Sequence, residues 1–134
     1  MQSITLPVVS AITAGVLIIG QMGLLLTVVL RRRAARQSLG EGDASLQRLV
    51  RRHGNFAENA AIFVASLTLL EMLGAQRLFV FGLAALFILG RLLHAVGLSM
   101  QQTVNVWRIA GVFASVATCI ALGAKLVTLG ISHL

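Results

Sequence analysis

The chain has 134 residues, of which 57% are hydrophobic and 11% charged, with a single proline and no tyrosine. Soluble domains carry about 25% charged residues, so this composition excludes an ordinary soluble fold. A net charge of +7 could suit nucleic acid, but no basic patch is interleaved with aromatic residues. The charge is instead arranged as it is in membrane proteins.

Four apolar blocks stand out, about Leu6–Leu30, Phe56–Leu73, Leu78–Leu98 and Val104–Ile131. Each reaches the ~17–25 residues that a transmembrane helix needs. The expected fold is all-α: one membrane domain over residues 1–134, a four-helix bundle with helices near 6–33, 44–73, 77–99 and 104–131. The first block has no basic n-region and no small-x-small cleavage site, so it reads as a retained helix rather than a signal peptide. Pro7 falls in its expected first turn, where a missing N–H costs little.

Seven of the eleven Lys and Arg residues (Arg31, Arg32, Arg33, Arg36, Arg48, Arg51 and Arg52) lie between the first and second blocks. By the positive-inside rule this connection faces the cytoplasm and both termini lie outside. The run Arg31–Arg33 continues the first helix into the headgroup zone, where it and Arg52 reach for anionic lipid. Gly40 and Gly42 then break the helix, and Asp43 can cap the next one.

On that second helix Arg48, Arg51, Asn55 and Glu58 form one stripe at i, i+3 and i+4 spacings. Glu58 enters the apolar run Ala60–Ala65, where an acid costs roughly 2.5–3.5 kcal/mol on insertion scales. Lipid headgroups do not explain an acid or an amide there, so the stripe reads as a polar binding site. Glu71 closes the far end of this helix, and a pair with Arg77 across the next turn is expected.

The third helix places Arg91, His94 and Leu98 on one face, beside Gly90 and Gly97. Because this helix returns toward the cytoplasmic side, Arg91 and His94 are expected at the depth of Glu58. Trp107 suits an interface position at the start of the fourth helix, and Arg108 beside it is expected near the same level. Gly111, Ser115, Cys119 and Gly123 then repeat small residues every four positions, a pattern that lets helices approach closely in lipid. Ala11 and Gly15 make a weaker version on the first helix. Cys119, the sole cysteine, reads as a small buried hydrophobe. His53 and His94 sit on different helices without carboxylate or cysteine neighbours at ligand spacing, so no metal site is expected.

Arg51-x-His53-x-Asn55-x-x-Glu58, with Gly90-Arg91-x-x-His94, resembles the MAPEG superfamily, the membrane-associated proteins of eicosanoid and glutathione metabolism. Leu70-Glu71-Met72-x-Gly74-Ala75-Gln76 and Trp107-Arg108-x-x-Gly111 resemble its small bacterial members. The resemblance covers about residues 45–120. It implies a homotrimer of four-helix subunits in a bacterial inner membrane, surrounded by lipid and binding glutathione as co-substrate between subunits near the cytosolic face. A lipophilic small molecule would be the second substrate, and nucleic acid is not a partner.

By position, the resemblance implies that Arg51 grips a glutathione carboxylate while Asn55 and Glu58 hold its polar backbone and amino group. Arg91 and His94 would frame the pocket, with His53 a further binding residue and an Arg91–Glu58 pair one option. Arg108 falls where the eukaryotic enzymes place the arginine that activates the thiol, and is the implied catalytic residue. An arginine of Arg31–Arg33 could instead reach across from the adjacent subunit.

The implied function is a glutathione transferase or peroxidase. Two alternatives stay open: a catalytically silent MAPEG-like protein, and a small four-span transporter. The transporter is disfavoured because such exporters carry their glutamate on the first helix, which is uncharged here. The chain departs from the family in reading Asn59-Ala60-Ala61 where a proline is common after the motif glutamate. It also has Leu98 where eukaryotic enzymes place a tyrosine.

Overall fold

The computed structural model describes residues 6–40, 42–100, 102 and 104–134. Its helices are α1 (Val8–Ala34), α2 (Ala44–Ala57), α3 (Ala60–Met72), α4 (Arg77–Ser99) and α5 (Val106–Ile131). Among the described residues α1, α4 and α5 are long and apolar enough to cross a membrane. The chain is a multi-pass integral membrane protein. Large apolar side chains such as Ile19, Leu26, Phe81, Phe113 and Ile120 point outward from these helices, as a hydrocarbon surround requires.

The helix expected over 44–73 is two. Asn59 leaves the helical region at φ −109° and ψ 1°, and the Asn55 carbonyl accepts from Arg91 Nη1 at 2.8 Å in place of the Asn59 N–H. A side chain inserted into the i→i−4 ladder is a recognised cause of helix breaks, and here it acts without a proline. The 13 residues of α3 span about 20 Å, less than the ~30 Å hydrocarbon core.

The connections follow the chemistry of their residues. Arg31, Arg32 and Arg33 form the last turn of α1, and Gly40 and Gly42 take positive φ of 81° and 67°. Asp43 caps α2 through the Leu46 N–H at 2.8 Å, and it also pairs with Arg31. Gly74, at φ 80°, turns the chain from α3 into α4.

The first turn of α1 has no side-chain cap of its own behind Pro7. Glu71 supplies one from α3: its carboxylate accepts from Val9 N at 3.0 Å, Ser10 N at 2.8 Å and Ser10 Oγ at 2.7 Å. This corrects the expected Glu71–Arg77 pair. Three donors and the positive end of the α1 dipole outcompete a single exposed-end cation.

All five helices contribute to the core, α1, α2 and α5 through Leu17, Phe56 and Leu122. Between α3 and α4 the Phe63 and Phe87 rings stack at 3.8 Å, with Leu67, Leu70 and Val80 also buried, none of these five exposed beyond 1%. The closest helix pairing is α4 on α5. A Cβ on Gly97 would lie 2.5 Å from Arg108 N, and one on Gly90 would lie 2.8 Å from Ser115 Oγ. A Cβ on Gly111 would run into the His94 backbone N. Of the small-residue stripe on α5, Gly111 and Ser115 are buried against α4, while Gly123 has open space around it.

Candidate functional site

Arg51, Asn55 and Glu58 share one outward face of α2 and its end. Arg51 and Glu58 are exposed and Asn55 is half-buried, with Asn55 Nδ2 donating to the Arg51 carbonyl at 2.9 Å. Arg91 and His94 point inward from α4, only 4% and 7% exposed. The site is therefore an outer polar stripe backed by an inner cationic layer. They are joined where Arg91 donates to the Asn55 carbonyl.

Among the described residues no ion pair links Arg91 to Glu58, and the pair present is Arg31–Asp43. A close Arg91–Glu58 pair is not formed: the guanidinium rests on a backbone carbonyl, and Glu58, exposed on the outer face, acts on it only at longer range. Arg91 lies 5.8 Å from the Phe87 ring centroid, a cation–π distance, and its Nε has no acceptor. Both ring nitrogens of His94 are buried without partners. A buried polar atom left unpaired is costly, so Arg91 and His94 hold unused hydrogen-bonding capacity at the same place.

Arg108 is not level with Arg91. Its backbone packs on Gly97, whereas Gly90, next to Arg91, packs on Ser115. Six residues separate Arg91 from Gly97, a rise of about 9 Å. The backbones of the expected single layer stand on two tiers, Arg91 with Asn55 deeper in the bundle and Arg108 with Gly97 nearer its end. His94 lies between them, within electrostatic reach of Arg91, Arg108 and Glu58. The half-buried Arg108 side chain lines a cavity of about 270 Å³ with Val104, Ile109, Val112 and Phe113. A neighbouring cavity of about 270 Å³ is lined by Asn59, Arg91, Val112, Ser115, Val116, Cys119 and Ile120. Val112 borders both.

Residues 10–128 match the MAPEG family. The chain belongs to the MAPEG family. It is a membrane protein of the eicosanoid and glutathione metabolism type, and no curated protein matches it.

Other polar residues of this MAPEG chain go to places that sequence spacing does not indicate. His53 Nε2 lies 2.6 Å from Gln21 Nε2 on α1. Gln21 is the one amide in the apolar run of the first helix, and that singularity was the available signal. Arg52 is held inside the bundle rather than extended from a helix end: Nη1 donates to Ser99 Oγ at 2.8 Å and Nη2 to Thr27 Oγ1 at 3.0 Å. It ties α1, α2 and α4 together. Asn105 closes α4 and opens α5, donating to the Gly97 carbonyl at 2.8 Å and accepting from Arg108 N at 3.0 Å. An amide just before an apolar helix is a legible cap signal.

Proposed function

We propose that the protein is a glutathione-dependent membrane enzyme, active as a homotrimer, with α2 and α3 together forming a fourth crossing. The first connection would face the cytoplasm of a bacterial inner membrane. The observation that carries this reading is the exposed Arg51–Asn55–Glu58 stripe, backed by buried, under-partnered Arg91 and His94. Glutathione offers two carboxylates and one ammonium, and the stripe offers a guanidinium, an amide and a carboxylate. Arg51 and Glu58 are seven residues apart, about 10 Å along a helix, which matches the ~10 Å reach of an extended tripeptide.

In this reading Arg51 binds a glutathione carboxylate, Glu58 binds the ammonium and Asn55 binds the peptide backbone. His94, Arg91 and His53 shape the pocket. Arg108 stabilises the thiolate. Lowering a thiol pKa from about 8.5 by two units takes about 2.7 kcal/mol. A cation at ~4 Å supplies about 1 kcal/mol in water but about 4 at an effective dielectric near 20, so the Arg108 cavity must be shielded from water. The thiolate then attacks an electrophilic carbon of a lipophile, forming the C–S bond and expelling the leaving group with the bonding pair.

Glutathione binding and turnover of a chloronitrobenzene substrate test the assignment. Arg51→Ala is expected to lose binding, and Arg108→Ala to keep binding and lose rate. Equal behaviour of the two variants overturns the roles, and wild-type protein that does not bind glutathione overturns the function.

A further inference from the structure

The arginine-rich end of the bundle holds a second cationic cavity, which the proposed glutathione site does not use. Ser45, Arg48, Leu49 and Arg52 of α2 face Leu98 and Ser99 of α4 across about 190 Å³. Arg52 is fixed in place by two hydroxyls, Ser99 Oγ and Thr27 Oγ1. Both acceptors are neutral, and Arg52 Nε is buried with no acceptor at all. Arg48, one turn away, is exposed.

Among the described residues no carboxylate lines this cavity, and the acids are engaged or distant. Asp43 is held by Arg31, Ser45 and the Leu46 N–H, and Glu71 by the α1 N-terminus. Glu58 is six residues from Arg52, about 9 Å along the chain axis. Two guanidiniums one turn apart repel each other, so their persistence in one cavity with no counter-charge among the described residues points to an anion from outside the chain. The C-terminal end of α4 opposes this with roughly half a negative charge, against two full positive ones.

We propose that this cavity binds the phosphate of an anionic phospholipid. Guanidinium is the side chain best matched to phosphate oxygens, through paired N–H donors. Arg52 is already immobilised, so little side-chain freedom is lost on binding. Two features favour a lipid over free phosphate. Leu49 and Leu98 wall the cavity beside the arginines, giving an apolar lining for the glycerol and upper acyl chain. The cavity also lies at the end of the spans where α1 finishes in Arg31, Arg32 and Arg33, the level at which basic clefts between helices hold lipid headgroups.

The test is native mass spectrometry of the full chain released from phosphatidylcholine nanodiscs doped with phosphatidylglycerol. Wild type is expected to retain phosphatidylglycerol selectively. Arg48→Gln is expected to reduce that retention about tenfold, the effect of one lost charge-assisted contact. Arg33→Gln, an exposed arginine outside the cavity, is expected to leave it unchanged. Circular dichroism and the thermal midpoint of Arg48→Gln should match wild type, since the ties made by Arg52 stay intact.

Equal losses in Arg48→Gln and Arg33→Gln would mean a diffuse basic surface and overturn the site. Inorganic phosphate that displaces the lipid at millimolar concentration would reassign the cavity to a free anion. Displacement by glutathione would merge it with the Arg51 stripe and equally overturn the proposal.

Discussion

Arg91 carries the most unusual bond in the molecule: a buried guanidinium donating to a main-chain carbonyl, Asn55 O, at 2.8 Å. A charge at that depth ordinarily has a carboxylate beside it. Here the guanidinium takes the place of the next helical N–H and so holds the α2–α3 break just beyond Asn55 and Glu58. Arg91→Met should let the Asn59 N–H reclaim the carbonyl and straighten the helix. Spin labels at Ala44 and Leu69 would report a longer separation. Because the variant also removes a buried, incompletely paired charge, its thermal midpoint should not fall, while glutathione affinity drops by about tenfold or more, ~1.4 kcal/mol. Adding Asn59→Pro should restore both the break and the affinity, since proline has no N–H and clashes with the carbonyl four residues back. A double variant that regains the break but not the affinity would show that Arg91 acts by touching the ligand. Glu71 makes a different residue-scale case, because its carboxylate holds the start of α1 from another helix. Glu71→Gln puts an NH₂ against the donors of Val9 and Ser10 and should lower stability by about 1–3 kcal/mol, read as a fall in thermal midpoint.

At the scale of elements, α4 and α5 are pressed together by glycines, and the pairing sets where Arg108 sits. Gly111→Ala would drive a methyl into the His94 backbone. Overpacking of side chains costs about 1–3 kcal/mol, and backbone cannot yield as a side chain can, so the loss should reach the upper end of that range. Gly123→Ala meets nothing within 4 Å and should be neutral or raise stability, by up to about 1 kcal/mol of helix propensity. Spacing alone treats both glycines as one stripe; only the position of α4 tells them apart. The α2 cap offers a pH test. Hydrogen bonds from the Leu46 N–H and Ser45 hold the Asp43 carboxyl below its ordinary 3.8. A depressed folded pKa means the stabilisation is present above that ordinary value and is lost as pH falls through the folded one. Hydrogen-exchange protection at the first turn of α2, taken relative to the intrinsic rate at each pH, should therefore fall on acidification below about pH 4, with the protection of α4 unchanged over the same range.

Much of this was legible from composition and periodicity: the membrane class, the ends of α1, α4 and α5, the Asp43 cap and the polar face of α2. The unread parts share a cause. The 44–73 helix breaks because a residue 36 positions away takes one carbonyl, and hydropathy carries no record of such an exchange. Glu71 was assigned to Arg77 because they are near in sequence, yet its partners are 61 and 62 positions away. Arg52 looked like its neighbours in the basic run, and only the arrival of Thr27 and Ser99 gives it a separate role.

At the scale of the whole molecule, one chain leaves a polar stripe on an otherwise apolar exterior. Glu58 is exposed at the mouth of an apolar helix, where an acid facing lipid costs roughly 2.5–3.5 kcal/mol. In the proposed assembly a second copy of the chain, with glutathione between them, would remove that exposure. The proposed trimer therefore predicts linkage between ligand and assembly. At a glutathione concentration of 100 times Kd, binding to the folded state alone stabilises it by about 2.7 kcal/mol, a rise of several degrees in midpoint. If the ligand bridges subunits, that rise should come with slower dissociation of a three-chain species in native mass spectrometry. Arg51→Ala should lose both effects, and Arg108→Ala should keep both while losing turnover. A midpoint that rises with glutathione while the dissociation rate stays constant would place the ligand within one chain. In that case the exposed stripe would need a different cover, and the trimer would lose its strongest physical argument.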